Sequence, residues 1–425
     1  MNITELMKHY PFVKKEDILY TIIYSILFWT VIGLSSITMT LLFPLLIFFT
    51  LVSLLFYRIR YKDFPDEEEL EKYEDEILHR KNLSINYHHY NDVIRFHLNG
   101  EMYETKLHSL RIDCDYKKAD VLVILHGVNS SATLISNIYK YLSKCFHVYA
   151  IDVPGFGRSN IVNKDGNLLY HQLGILYYNK IIENYLRINN LKNVILMGHS
   201  FGGFIAGNYC IQVKERVKQL ILVEPAGLFP FFSKYGAPLA FFFKNARAPN
   251  YLGNIGMILG DVLSSFTDDK YCNHYNYVVG HYPGNNWGKK LLADFITLDH
   301  FGGNWNYPII SKLIRIDIPF HVIYGDNDFI IGSHERFINK LFPDSCSVLK
   351  NCGHSPFLHN DKMISKEIIN ATVLMKNRRK HTKYKPHTIE ENILADKYLN
   401  LFKSTFNIEQ TQKMQDILYK KYYLL

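Results

Sequence analysis

Ser200 stands in the stretch LMGHSFGGF, Leu196–Phe204, with Gly198, Gly202 and Gly203 around it. Small residues on both sides of one hydroxyl suit a chain bent sharply enough to push that hydroxyl outward. The chemistry it would serve is attack on a carbonyl. A serine hydroxyl is a weak nucleophile, so it needs a base, and the base needs an acid to orient it. Two downstream stretches offer these groups: YGDND, 324–328, carries Asp326 and Asp328, and NCGHSPF, 351–357, carries His354. His199 lies inside the serine motif, where its side chain is expected to point away from the nucleophile. Attack on a carbonyl also needs two backbone N–H groups aimed at the developing oxyanion. Phe201, just after the serine, supplies one in this reading, and Val128 in HGVNSS, 126–131, supplies the other.

Other chemistries find little support. H-E-x-x-H, paired C-x-x-C and an EF-hand loop are all absent, so zinc or calcium catalysis is not expected and no cofactor is assigned. Cys114, Cys145, Cys210, Cys272, Cys346 and Cys352 are scattered and read as reduced thiols of a cytosol-facing domain. The net charge of +8 could favour an anionic membrane surface, but it is too diffuse to argue for nucleic acid.

The elements that must position these residues can be read from the alternation of apolar runs. VIRFHL and MYETKLHSL alternate as half-buried strands do, whereas ADVLVILHG, HVYAIDVPG, NVILMGHS and VKQLILVEPAG are continuous apolar runs suited to a buried parallel sheet. Helical spacing falls between them, in ISNIYKYLSKC, LGILYYNKIIENYLRI and FGGFIAGNYCIQVKE. This βα alternation predicts an α/β fold, a mostly parallel sheet with helices on both faces. It breaks after Gly227 and resumes with IPFHVIYGD, so 228–307 reads as an insertion between two strands. The insertion is rich in aromatics. Phe229, Phe231, Phe232 and Phe241–Phe243 suit either an acyl tunnel or a small helical core.

No charged side chain occurs from Ile18 to Tyr57, about twice the ~20 apolar residues that one bilayer crossing takes. IGLSSIT, 32–38, supplies small and polar residues at its middle, so a helical hairpin is expected, with a single span over 37–57 as the alternative. Lys8, Lys14 and Lys15 precede the run and Arg58, Arg60 and Lys62 follow it, which places both ends in the cytosol. The acidic stretch 63–80 reads as a solvated helix face spacing the next domain from the membrane.

LHGVNSS, IDVPGFGRS, GHSFGG, YGDND and CGHSPF, in this order, resemble the α/β-hydrolase fold family over 84–378. The insertion and its exit resemble the branch containing lysophospholipid lipases, N-acyl-phospholipid lipases and the mitochondrial cardiolipin deacylase. The resemblance implies a nucleophile elbow at Ser200 with Gly198 and Gly202, and a base at His354. The family's G-x-x-D pattern implies the acid at Asp328, with Asp326 second and Glu224, ending the strand after the elbow helix, third. Many members of the branch carry H-x-x-x-x-D at the catalytic histidine, a pattern linked to acyltransfer. Here His359 stands five residues after His354, so the pattern is missing. Its literal matches at His147–Asp152 and His321–Asp326 begin inside expected strands.

The expected organisation is a cytosolic segment 1–17, a transmembrane region 18–57, a charged linker 58–83, a hydrolase domain 84–378 with a cap 228–307, and a basic extension 379–425. The expected function is membrane-anchored serine hydrolysis of an ester bond in a lipid or lysophospholipid, with the catalytic domain in the cytosol. A lipid acyltransferase and a non-catalytic membrane scaffold are the alternatives.

Overall fold

The computed structural model describes residues 67–81, 85–98, 100–128, 130–159, 174–213, 215–228, 318–328 and 342–381, with isolated positions between 309 and 339. The stretch 18–57, the insertion beyond Leu228 and the extension beyond His381 lie outside the described residues. Among the described residues no helix is long and apolar enough to cross a membrane.

Among the described residues, eight strands form one sheet in the order β1-β2-β4-β3-β5-β6-β7-β8. They are β1 (Tyr87–Leu98), β2 (Glu101–Ile112), β3 (Asp120–Leu125), β4 (Phe146–Ile151), β5 (Val194–His199), β6 (Val217–Val223), β7 (Phe320–Gly325) and β8 (Cys346–Leu349). β1 and β2 make an antiparallel hairpin, β2 runs antiparallel to β4, and every later pairing is parallel. The sequence accounts for the division. β1 buries alternate residues near its end, as an edge strand with one wet face does. All six residues of β5 and all six of β7 are buried, because helices cover both faces there.

The helices are α1 (Glu67–Arg80), α2 (Tyr139–Leu142), α3 (Gly174–Ile188), α4 (Phe201–Gln212), α5 (Pro356–His359) and α6 (Asp361–His381). One apolar layer gathers Tyr177, Ile181, Tyr185, Phe204 and Tyr209 of α3 and α4 against Val123, Leu196 and Leu222 of the sheet. The other gathers Ile138, Leu142, Ile364, Ile368 and Met375 against Ile124, Ile195 and Ile221 on the opposite face. α4 is buried nearly all round, which is why its sequence is apolar without a polar stripe. The single helix expected over ISNIYKYLSKC is instead a 3-10 turn, Ser136–Ile138, running into the four-residue α2. It stops there because the chain turns at once into β4, with Cys145 N–H bonded back to Leu142 O at 2.9 Å.

The acidic stretch has the solvated face expected of it, with Glu68, Glu69 and Glu76 exposed, but it also has a buried one. α1 turns Leu70, Glu74, Ile77 and Leu78 inward, an i, i+4, i+7, i+8 stripe with one carboxylate inside it. Glu74 is buried and meets Arg158, itself buried, at 2.7 Å from Oε2 to Nη1. Arg158 also reaches Glu67 at 3.1 Å and Glu71 at 3.2 Å. His108 Nδ1 lies 2.8 Å from Asp152 Oδ2, and His89 Nδ1 lies 3.1 Å from His108 Nε2. Burial alone would raise the Glu74 carboxyl, but His108, a hydrogen bond from His89, and Arg158 together hold it well below the usual carboxylate range. α1 is therefore packed onto the domain that was expected to start after it.

Candidate active site

Parallel strands end on the same edge of a sheet, and that edge collects the chemistry-bearing residues here. β5 ends at His199 and α4 begins at Phe201, so Ser200 alone makes the turn, with φ 50° and ψ −116°. A non-glycine residue at positive φ costs about 1–3 kcal/mol and persists only where its surroundings hold it. They do so here: Ser200 N–H bonds Val223 O at 3.0 Å, and Ser200 O accepts from Phe204 at 3.1 Å and Ala226 at 3.0 Å. Gly198 and Gly202 are required by close approach. A Cβ on Gly198 would collide with the Gly202 carbonyl, and one on Gly202 with the carbonyls of Leu125 and His126.

His354 lies on the loop between β8 and α5, and Asp328 lies three residues past β7. The structure brings both to Ser200. His354 Nε2 is 3.0 Å from Ser200 Oγ, and His354 Nδ1 is 2.8 Å from Asp328 Oδ2. The Asp328 side chain is fully buried while that of His354 keeps 15% of its surface, so the carboxylate is sealed and the imidazole is not. With Nδ1–H donated to the carboxylate, Nε2 is the ring's acceptor and faces the serine hydroxyl.

Asp326, the second choice, does something else. Its Oδ1 accepts the Cys352 N–H at 3.2 Å, and its own N–H bonds Leu349 O at 3.0 Å, so it ties β7 to the loop carrying His354. Glu224, the third choice, accepts the Gly325 N–H through Oε1, and the His354 Nδ1 is taken by Asp328 instead. The two stray H-x-x-x-x-D matches form no pairs. His147 meets Asp113 and His321 meets Ser347, while Asp152 is bonded to His108.

The loop after β3 runs beside the nucleophile: a Cβ on Gly127 would come within 3.0 Å of Ser200 Cβ. Val128 follows it, partly buried. His126 fixes this loop, its Nε2 accepting the Val153 N–H at 2.9 Å and its Nδ1–H donating to Gly127 O at 2.6 Å. Burial lowers its affinity for a second proton, which suits an accepting nitrogen. Asp152 Oδ1 holds the same loop further on, through Ala132 N–H at 2.6 Å. On the other side of Ser200, α4 opens at Phe201, and a helix N-terminus presents N–H groups and partial positive charge there.

His199, beside Ser200 in the chain, is engaged with the loop that carries His354. Its Nε2–H donates to His354 O at 2.7 Å. Burial first, then the His354 charge, push it down to about 3, so it stays neutral.

Among the described residues, two clusters bring three possible ligand atoms within 4.8 Å of one another: Glu74 with His89 and His108, and Glu224 with Asp328 and His354. In the first, Arg158 already supplies the cation, with Nη1 3.4 Å from His108 Nε2 as well as on Glu74. In the second, both nitrogens of His354 are engaged.

A family model described as "alpha/beta hydrolase fold" matches residues 120–361. A probable 1-acylglycerol-3-phosphate O-acyltransferase of Oryza sativa subsp. japonica is 36% identical over 289 residues, 60% of this chain and 67% of that one. Monoacylglycerol lipase ABHD6 of Homo sapiens is 22% identical over 270 residues, 60% of this chain and 76% of that one. The chain spans about two thirds of the length of the first curated relatives it matches. The crystal structure of a putative lipase from Acinetobacter baumannii shares the fold at a TM-score of 0.52 and 18% identity, covering 72% of this chain and 97% of that one. Sheet order, serine turn and family match agree, and the chain belongs to the α/β-hydrolase fold family.

Proposed function

We propose that this esterase/lipase-type hydrolase is a membrane-anchored serine hydrolase that cleaves an ester bond of a lipid or lysophospholipid. The observation that carries the reading is the unbroken chain from Ser200 Oγ through the His354 imidazole to Asp328, at 3.0 and 2.8 Å. Ser200 Oγ attacks the ester carbonyl while His354 Nε2 takes its proton. Asp328 keeps the imidazole in the required tautomer and offsets the charge that forms on it. The N–H groups of Phe201 and Val128 hold the oxyanion. His354 then returns the proton to the leaving alcohol, and a water, activated by the same nitrogen, releases the acid from Ser200. No step needs a cofactor.

A lipid substrate is supported by the named activities of the relatives and by the aromatic insertion 228–307. Anchoring is supported by the uncharged run from Ile18 to Tyr57, and a cytosolic catalytic domain by the basic residues on both flanks. Acyltransfer, with an acceptor alcohol displacing water, is the second reading, favoured by relatives named 1-acylglycerol-3-phosphate O-acyltransferase. The absence of an aspartate five residues after His354 favours water.

A fluorophosphonate probe tests the reading. It is expected to label the wild type and spare Ser200→Ala, whose turnover falls by orders of magnitude, about 10⁶ in a comparable protease. Hydrolysis of a p-nitrophenyl ester by Ser200→Ala at the wild-type rate would remove the assignment. Competition with lysolipid acceptors separates transfer from hydrolysis.

A further inference from the structure

Glu224 sits at the end of β6 with φ 44°, a strained setting for a side chain of its size. Its backbone is part of the active edge: its N–H bonds Ile323 O at 2.9 Å, one residue after Val223 O takes the Ser200 N–H. The residue is fully buried. One carboxyl oxygen, Oε1, accepts the Gly325 N–H. The other, Oε2, is buried and meets no donor among the described residues. Asp328 and His354 lie beside the Glu224 carboxyl, with one ligand atom of each of the three groups within 4.8 Å of the others. Neither the hydrolytic steps nor the hydrogen bonds of the serine turn use this side chain.

We infer that Glu224 is a neutral carboxylic acid whose O–H donates to the Asp328 carboxylate, making Glu224 a positioning residue for the Ser200–His354–Asp328 chain. This rests on the serine-hydrolase reading of that chain. Two carboxylates that meet in a dry site do not both ionise. Asp328 is the one bonded to His354 Nδ1, so it keeps the charge and Glu224 keeps the proton. A protonated Oε2 is a donor, and its natural acceptor is the carboxylate it faces. Burial, and then the hydrogen bond and charge of Asp328, push the Glu224 carboxyl up to about 10, against the pull of the Gly325 N–H. The arrangement holds Asp328 from behind. With one side of its carboxylate engaged by Glu224, the other is kept on Nδ1, and His354 is kept on Ser200. Because Glu224 also accepts from Gly325, it couples the end of β6 to the end of β7, from which Asp328 hangs.

The test pairs infrared difference spectroscopy with kinetics on the full chain. The wild-type minus Glu224→Gln difference spectrum at pH 7 is expected to show the carbonyl band of a protonated carboxylic acid. Glu224→Gln keeps a donor for Asp328 and an acceptor for Gly325, so its kcat/KM should stay near wild type. Glu224→Leu keeps the bulk but no donor, and should lose up to about 10²-fold in kcat with little change in KM, the scale set by small misplacements of catalytic groups. Absence of the band overturns the inference. So does a Glu224→Gln variant as damaged as Glu224→Leu, which would mean that an ionised carboxylate is needed, or full activity in both. Should Glu224→Leu not fold, the band and Glu224→Gln still decide. A wild type that fails to react with fluorophosphonate sinks the hydrolase reading instead, while the infrared band, which needs no turnover, reports on Glu224 alone.

Discussion

His199 holds the backbone of His354, with its Nε2 2.7 Å from the carbonyl oxygen and the two rings 5.2 Å apart. The residue beside Ser200 in sequence thus supports His354 in space. Phe357, the third residue past His354, packs edge-to-face with His199, the ring centroids 5.0 Å apart. His199→Phe removes the donor from a part-buried carbonyl, and an unmet group of this kind costs about 1–3 kcal/mol. The expected result is a lower melting temperature together with a lower kcat. His199→Gln, which keeps an N–H donor, should recover part of both. Unchanged kcat in His199→Phe would show that the loop needs no such support.

Asp328→Asn and Asp326→Asn separate two neighbouring carboxylates. The first should cost about 10⁴ in kcat, as loss of the orienting acid does in a comparable protease. The second should leave kcat nearly intact and lower stability by about 1 kcal/mol through the weakened bond to Cys352 N–H. Matched kinetics and urea unfolding check both, and the reverse ranking would move the acid to Asp326.

Arg158 and Glu74 form a fully buried ion pair. Arg158→Leu leaves Glu74 without its nearest cation, and breaking one side of such a pair costs about 3–5 kcal/mol. Replacing both, with Arg158→Met and Glu74→Leu, should cost less than Arg158→Leu alone. Denaturant unfolding of the wild type, Arg158→Leu, the singles Arg158→Met and Glu74→Leu, and the double variant measures this, and a double variant as weak as the sum of its two singles would deny the coupling.

Stability should depend on pH through Glu224. A free glutamate loses its proton near 4.5, whereas Glu224 is pushed up to about 10 by burial and Asp328. Between those values the folded chain holds a proton that the unfolded chain has released, so stability falls as pH rises. The slope is at most about 1.4 kcal/mol per pH unit. Glu224→Gln removes it. The melting temperature of Glu224→Gln relative to wild type should therefore climb from pH 5 to pH 9, and a constant difference would show an ordinary carboxylate.

What the sequence discloses follows from which interactions are local. The parallel strands were legible because β3, β5, β6 and β7 are short apolar runs ending in glycine or polar turns. Ser200 and His354 were legible because each sits on a glycine-bearing turn after such a run. Asp326 and Asp328 are two residues apart on one loop, and only the direction of the chain after Gly325 tells them apart. α1 was hidden by composition: seven acidic residues from Glu67 to Glu76 mask the stripe of Leu70, Ile77 and Leu78. Glu74 occupies a core position in that stripe, a signal with no meaning until Arg158, 84 residues on, is known to face it. Glu224 ends an apolar run as the other strand-end residues do, and only the packing of β6 against β7 brings it beside Asp328.

The docking of α1 also redraws the smallest piece of chain that can be expected to fold. A fragment begun at Ser84 would keep every strand and the whole Ser200–His354–Asp328 chain. It would nonetheless uncover Arg158 together with the pocket that takes Leu70, Ile77 and Leu78. Asp152, bonded to His108 beneath that pocket, also holds Ala132 in the loop after β3. Such a fragment would be prone to clump through the bared surface and loose at the edge that carries Ser200. A fragment begun at or before Pro65 carries its own plug. A separate peptide spanning 65–82 should act as a ligand for the shorter one, returning in solution what the covalent chain normally supplies.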